Sequence, residues 1–470
     1  MLFENNVNSK EPTALTIARK VWITSSEPLS EIVDLLPANK GRLSLVTSLI
    51  KAYELDRKCQ DIIGVTRTKR QDLESFHGKQ FLFVLLKKRS YIDVNSPGLK
   101  RIQEALQIGE FKDIPKIPAL APGEHIDIVK LGNELGEKYN RKQESDSNDS
   151  GLELSDSFDE ITPFEDAETQ EEDNAELETY GLLHDCYIFP FMSDYVNLVA
   201  ASSIQAATRL TKEKKDNSTQ NIAINWYGGR HHCKKNKAAG FCYINDIVLS
   251  INVLRRNFRR IFYLDLDLHH GDGVESAFEF SKNVMTCSIH RYDIGFYPGT
   301  GSLSSTQKTK VNIPVMRGLN DSNMLRIVRE IVLPLIKNFQ PDALVIQAGC
   351  DGLSTDEHKE WNMTIKGYGK VLSYLLNAVG TTSVMILGGG GYNHTETAKC
   401  WTYLTSIALG EEELSEEWDL IPDHKYLDAY QDCGFRFWTN ENSSFTKLMK
   451  DENDQEYIEQ IKAYILDKCM

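Results

Sequence analysis

The chain has 470 residues, of which 41% are hydrophobic, enough to bury a large α/β core as one domain or a few. No run of eighteen apolar residues occurs and the opening residues, MLFENNVNSKEPTALT, lack the basic-then-apolar layout of a secretory signal, so neither a membrane span nor export is expected. The net charge of −15 is local, because residues 144–178 hold 15 Asp or Glu and no Lys or Arg; the rest is roughly neutral and shows no nucleic-acid face.

In chain order, residues 1–17 are expected to be a flexible N-terminus and 18–470 a single folded unit. KVWIT (20–24) reads as a buried strand and KGRLSLVTSLIKAYEL (40–55) as a helix. The acidic segment 144–178 is polar and Ser-rich, and is expected to be a disordered insertion. Ser150 and Ser157 within it suit an acid-directed kinase, although a plain solvated loop is the usual behaviour of such composition. Then come a strand NIAINW (221–226), a helix at 246–255, and strands RIFYLDLDL (260–268) and VMTCSI (284–289). A helix at 320–339, a strand DALVIQAG (342–349) and a helix at 363–379 follow. A strand SVMILGGGG (383–391), a helix at 394–408 and a closing amphipathic helix EYIEQIKAYILDKC complete the chain. The alternation predicts an α/β fold with a mostly parallel sheet covered by helices on both faces. Ligands of such sheets sit beyond the carboxyl ends of the strands. Polar residues gather at those ends: Asp267 and His269, His290, Asp351, and the run Gly388 to Tyr392. The nine Cys are scattered without a C-x-x-C pair, which argues for a reducing compartment and against a Cys-type zinc site.

The stretch FYLDLDLHHGDGVE (262–275) interrupts an apolar strand with acids, and a lone buried carboxylate costs several kcal/mol or more. Strand alternation would set Asp265, Asp267 and His269 on one side. Asp267, His269 and Asp351 offer three ligands, the count of a catalytic zinc-type site with one position left for water or substrate. Turn and cap roles are the bland alternative, and for Asp272 alone they would suffice. In NWYGGRHHCKKNKAAGFCYINDI (225–247), His231 and His232 follow a glycine turn at a strand end. The surplus acids Asp265 and Asp272 are positioned to bond one histidine each, making the pair a general acid and base. In LGGGGYNH (387–394), the glycines allow close backbone approach, and the Tyr392 phenol is placed to donate to an oxyanion. The run is not the dinucleotide fingerprint, and no ribose-reading acid follows it.

In order and spacing, HH with GFCYIND, DLDLHHGDGVE, GFYPGTG, QAGCD and LGGGGY resemble the zinc-dependent class I histone deacetylases, most of all the fungal Hos type. The resemblance spans roughly residues 18 to 467 apart from the acidic insert. It implies the arginase/deacetylase fold, a single domain around an eight-stranded parallel sheet. It implies hydrolysis of acetyl-lysine on proteins, either a histone tail or another chromatin protein such as a cohesin subunit, giving lysine and acetate. It further implies that Asp267, His269 and Asp351 hold Zn²⁺, with Fe²⁺ open to the same nitrogen and oxygen donors. His231 and His232 would be the acid/base pair, Asp265 and Asp272 their partners, and Tyr392 the group that polarises the acyl carbonyl. Gly240, Phe241, Phe296 and Tyr297 would wall the acyl-lysine tunnel, Asp185 would hold the substrate backbone, and Arg42 would handle acetate in an inner cavity. A structural K⁺ would take carbonyls of Asp265, Asp267 and His269, with Ser288 and Ile289. Nucleus and cytoplasm are the compartments implied, and transcriptional repression the role.

Four departures from the family pattern stand out. Arg230 replaces a Trp beside the histidines, Tyr297 a tunnel Phe, and His358 a Leu or Met at the tunnel mouth. Glu357 and Glu360 flank His358, so an acidic mouth is expected, which prompts a second reading, acetylpolyamine deacetylation. Glu357 and Thr395 stand where arginines bind inositol phosphate, so corepressor binding through that ligand is not expected. A third reading, a catalytically weak acetyl-lysine-binding scaffold, has no need for the complete residue set.

Overall fold

The computed structural model describes residues 17–39, 41–87, 175–189, 191–214, 216–444 and 449–470. Residues 1–16 of the expected flexible N-terminus and 144–174 of the expected acidic insertion, with Ser150 and Ser157, lie outside these. The insertion's last residues correct that expectation. Residues 175–179 form a short helix, because Leu177 and the following Tyr180 find apolar partners on the main core.

Eight strands form one sheet, all parallel: β1 (Ala18–Thr24), β2 (Asp61–Ile63), β3 (Thr219–Asn225), β4 (Ile261–Asp265), β5 (Val284–Arg291), β6 (Lys310–Val315), β7 (Ala343–Gln347) and β8 (Ser383–Leu387). Their order across the sheet is β2-β1-β3-β8-β7-β4-β5-β6. The expected α/β class and the eight-stranded parallel sheet are both found. Four strands at the centre, β3, β8, β7 and β4, are neighbours although distant in sequence. Their outgoing loops carry the two histidines, the glycine run, Asp351 and the acidic stretch respectively, so four separate motifs meet above one edge of the sheet.

The strand residues divide by alternation between two cores. Phe262 and Leu264 of β4, Leu344 and Ile346 of β7, and Val384 and Ile386 of β8 enter the larger core. Ile261 and Tyr263, Ala343 and Val345, and Met385 and Leu387 enter the smaller core on the other face. Helices Met192–Lys212, Asp246–Leu254 and Asp272–Phe278 close that smaller face. Helices Arg42–Ala52, Ile365–Ala378 and His394–Leu409 help close the larger one. Burial on both faces is why the strands read as continuous apolar runs.

Several expectations need correction. β4 ends at Asp265, so Asp267 and His269 lie in the following loop and strand alternation does not orient them. The 40–55 helix is Arg42–Ala52, then a break at Glu54 with φ 54°, then Leu55–Lys58. The 320–339 helix is a chain of three, Asp321–Ile327, a wide turn Val328–Val332 and Leu333–Phe339. Pro334 lacks an amide hydrogen there, and the widened turn absorbs the lost bond. The 21-residue helix Met192–Lys212 was not foreseen. The edge strand β6 was hidden by Pro314 and Asn312, which an edge tolerates.

Asp34 ties the N-terminal helices to this frame. It accepts the amides of Leu43 (2.8 Å) and Ser44 (2.9 Å), two unpaired donors of the helix that carries Arg42. Replacing Asp34 with Ala strands both amides in a buried place, and we expect a loss of about 1–3 kcal/mol in urea-unfolding free energy. An unchanged midpoint and slope would contradict that assignment.

Candidate active site

The turn after β3 is held from below. Asp246, at the start of its helix, accepts the amides of Gly229 (2.9 Å) and Arg230 (2.8 Å) and the hydroxyl of Ser203. Gly229 has φ 98° and its backbone lies against Gly388, where a Cβ would collide. This packing presents His231 and His232, with ring centroids 3.9 Å apart. His231 Nδ1 meets Asp265 Oδ2 at 2.9 Å, and Tyr263 donates to the same oxygen at 2.6 Å. His232 Nδ1 meets Asp272 Oδ1 at 2.8 Å, and Lys234 pairs with the other oxygen at 2.8 Å. The expected one-to-one pairing of two histidines with two surplus acids is therefore present.

The two imidazoles differ electrostatically. Burial alone would lower His231, but Asp265 and Asp267 outweigh it and raise its pKa to about 9. Burial, reinforced by the charge on His231, drives His232 down to about 3 in spite of Asp272. One ring of the pair thus holds the proton and suppresses protonation of the other.

Asp267, His269 and Asp351 each bring one ligand atom within 4.8 Å of the others. His269 Nδ1 stands 2.9 Å from Asp351 Oδ2 and 3.4 Å from Asp267 Oδ1. Asp267 Oδ2 accepts from Gln347 Nε2 and the Gly390 amide, both at 2.8 Å, and Asp351 Oδ1 from the Leu268 amide at 2.9 Å. Burial would lower His269, yet the two carboxylates raise it to about 10. Burial and the charge of Asp267 push Asp351 up to about 6, while the charges of His231 and His269 hold Asp267 well below the usual range despite its burial. Two buried carboxylates and an imidazole converging on one point are a hard-donor set that fits a small dication. The glycine run belongs to this cluster, since a Cβ on Gly390 would strike Asp351 Oδ2.

Tyr392 follows directly. Its amide donates to Asp356 Oδ2 at 2.7 Å, and its phenol is pushed well above the ordinary value by burial and by Asp351 and Asp267, so it stays protonated. Phe296 stacks on His269 (5.5 Å, 11°), and Tyr297 sets its edge to His232 (5.0 Å, 83°). Phe241 lies 6.1 Å from Tyr392, and Gly240 adopts φ 55° where a Cβ would strike His232. Gly240, Phe241, His232, His269 and Tyr392 line a narrow cavity, partly open to solvent, that reaches inward to Asn39, Arg42 and Arg230. Arg42 donates to the Gly391 carbonyl at 2.7 Å. Asp185, expected to hold the substrate backbone, here accepts the Gly240 amide through Oδ2 at 2.5 Å and so braces the wall. Ser288 pairs in register with Asp265 and bonds His290 through its hydroxyl (2.9 Å), with Ile289 next to it in β5.

His358 is at the mouth, 5.1 Å from the His269 ring and 4.8 Å from Tyr392, anchored to Asp356 at 3.0 Å. Of the two acids expected to make this mouth acidic, Glu360 is drawn away by Arg291 (3.1 Å) and Arg317 (3.6 Å), whereas Glu357 stays exposed. Sequence reading also passed over Gln347, Asp356 and Tyr263, which orient the reactive groups. Gln347 had a signal, as a polar residue closing an apolar strand. Asp356 had none beyond its place in a turn.

Comparison with known proteins agrees with this geometry. Residues 36–408 match the histone deacetylase domain. The chain is 33% identical to histone deacetylase HOS1 of Saccharomyces cerevisiae, over 95% of this chain and 100% of that protein. It is 43% identical to histone deacetylase 8 of Xenopus laevis over 56% of this chain and 79% of that one. Against histone deacetylase 1 of Homo sapiens it is 36% identical, over 62% of this chain and 58% of the relative. With the domain matched across most of the chain and the expected resemblance met, this protein belongs to the histone deacetylase family.

Proposed function

We propose that this chain is a zinc-dependent protein lysine deacetylase acting on histone tails or other acetylated chromatin proteins, working in the nucleus and cytoplasm. The convergence of Asp267, His269 and Asp351 beside a protonated Tyr392 and a histidine pair carries the reading. A dication held by that triad supplies Lewis acidity toward the acyl carbonyl and the attacking water. Zn²⁺ suits the three-ligand set best, and Fe²⁺ is accommodated by the same donors. A K⁺ on the carbonyls of Asp265, Asp267 and His269 with Ser288 and Ile289 is part of the same proposal.

The chain's own groups divide the remaining work. Phe241, Phe296 and Tyr297 strip water from the acyl-lysine stem and hold it in line. Tyr392 donates a hydrogen bond to the acyl oxygen as negative charge develops there. His232, the neutral ring and the one facing Gly240 and Tyr297, takes the proton of the attacking water and later delivers it to the departing amine. His231, locked to Asp265, orients the pair and supports the negative charge that develops in the transition state. The amide C–N bond breaks, and lysine and acetate leave. Asp185 and His358 frame the substrate entrance. The capture of Glu360 in ion pairs leaves Glu357 as the one flanking acid that is exposed, which weakens the acetylpolyamine reading.

Acetate release from an acetyl-lysine peptide and from an acetylated polyamine tests this. We expect the peptide to be preferred, Tyr392→Phe to lower kcat by about 10²–10³, and Asp267→Ala to abolish turnover. Preference for the polyamine, or full activity in either variant, would contradict the proposal. The triad also predicts a pH dependence. A proton on His269, held up to about pH 10, competes with the cation for the same atoms, and metal uptake must displace it. Apparent zinc affinity measured by chelator competition should rise about tenfold per pH unit between about pH 6 and 8. A flat profile would rule out His269 as a ligand.

A further inference from the structure

The inner end of the active-site cavity carries two arginines, and one of them holds nothing. Arg230 is 5% exposed and Arg42 is 1% exposed, and both line the same space as Asp267, His269 and Tyr392. Arg42 is anchored, with Nη1 on the Gly391 carbonyl (2.7 Å), Nη2 on Asn39 Oδ1 (3.0 Å) and its guanidinium over the Trp401 ring. Only its Nε lacks an acceptor. Arg230 is fixed through its backbone amide alone, on Asp246. Its Nε and Nη2 are buried without an acceptor. The two acids in electrostatic reach are already engaged: Asp34 by the amides of Leu43 and Ser44, Asp246 by Ser203 and two amides. Among the described residues, neither guanidinium forms an ion pair.

A buried guanidinium whose Nε and Nη2 have no acceptor is unfavourable, and an anion entering the cavity would satisfy them. The planar fork of donors matches a carboxylate in two parallel hydrogen bonds. The acyl group approaches from the side of Phe241 and presents its carbonyl to Tyr392. Whatever lies beyond the carbonyl carbon therefore points toward Arg230. Beyond the acetate handling that the resemblance implies for Arg42, we propose that Arg230 makes this inner end a subsite for a substrate's own carboxylate, and that the chain hydrolyses acyl-lysines whose short acyl group itself ends in a carboxylate, succinyl-lysine being the representative. The step balances without any new reactant: water adds to the amide carbon, the C–N bond breaks, the nitrogen takes a proton, and lysine and a dicarboxylate leave. The subsite depends on the geometry alone, whereas its use in turnover rests on the deacetylase reading.

The test uses the full chain in two arms. Calorimetric titration with acetate and succinate, against chloride at equal ionic strength, reads the subsite without turnover. Matched peptides bearing acetyl-lysine, succinyl-lysine and the neutral terminal-carboxamide analogue of succinyl-lysine read its use. We expect carboxylate binding in the wild type and its loss in Arg230→Met. We expect kcat/KM for succinyl-lysine about tenfold or more above the carboxamide analogue, a preference that disappears in Arg230→Met and returns in part in Arg230→Lys, which keeps the charge. Equal rates on the two analogues, or a preference that survives Arg230→Met, would overturn the inference. Cleavage of acetyl-lysine with no cleavage of succinyl-lysine would also overturn it and leave the deacetylase reading standing. Carboxylate binding with no cleavage of any peptide would instead sink the deacetylase reading, and the proposed substrate class with it.

Discussion

Three carboxylates, Asp265, Asp267 and Asp351, sit at 0–1% exposure at the ends of neighbouring strands, and the rest of the structure is arranged around stabilising them. Buried acids of this kind protonate or force local unfolding unless donors and positive charge surround them. Each acid here has its own answer. Asp265 is met by His231 and Tyr263, Asp267 by Gln347 and the Gly390 amide, and Asp351 by His269 and the Leu268 amide. Fixed donors satisfy the outer oxygens. The inner oxygens and His269 converge on one point, where the proposed cation would complete the set.

That arrangement explains the sheet order. Placing β3, β8, β7 and β4 side by side brings four distant segments into contact, and each contributes a part the others lack. The glycine run after β8 is the thinnest of them. Its lack of side chains lets backbone amides reach Asp267 and leaves room for Asp351. Asp246 and Asp356, outside the reactive set, fix the backbone of the histidine turn and of Tyr392. They act by position: they hold amides, and the amides hold the chemistry.

Much of this was legible in the sequence. Acids interrupting an apolar run, a histidine pair and a glycine-rich strand end are local signals, and the buried strands declared themselves by composition. Orientation was less legible. Asp267 and His269 meet because the chain leaves β4 at Asp265 and loops back, which no two-residue period encodes. The pairing of Glu360 was not legible either, because Arg291 and Arg317, which capture it, are remote in sequence. The isolation of Arg230 was also invisible, since a missing partner becomes apparent only when every neighbour is in place.

The central claim, that the buried acid cluster is completed by one dication, is tested most directly by metal content. Elemental analysis of the purified protein, alongside Asp351→Ala, counts bound ions per chain. The account predicts one zinc-class ion per wild-type chain and none retained by the variant. A folded wild-type chain that binds no dication at equilibrium, or an Asp351→Ala chain that keeps its ion, would contradict it.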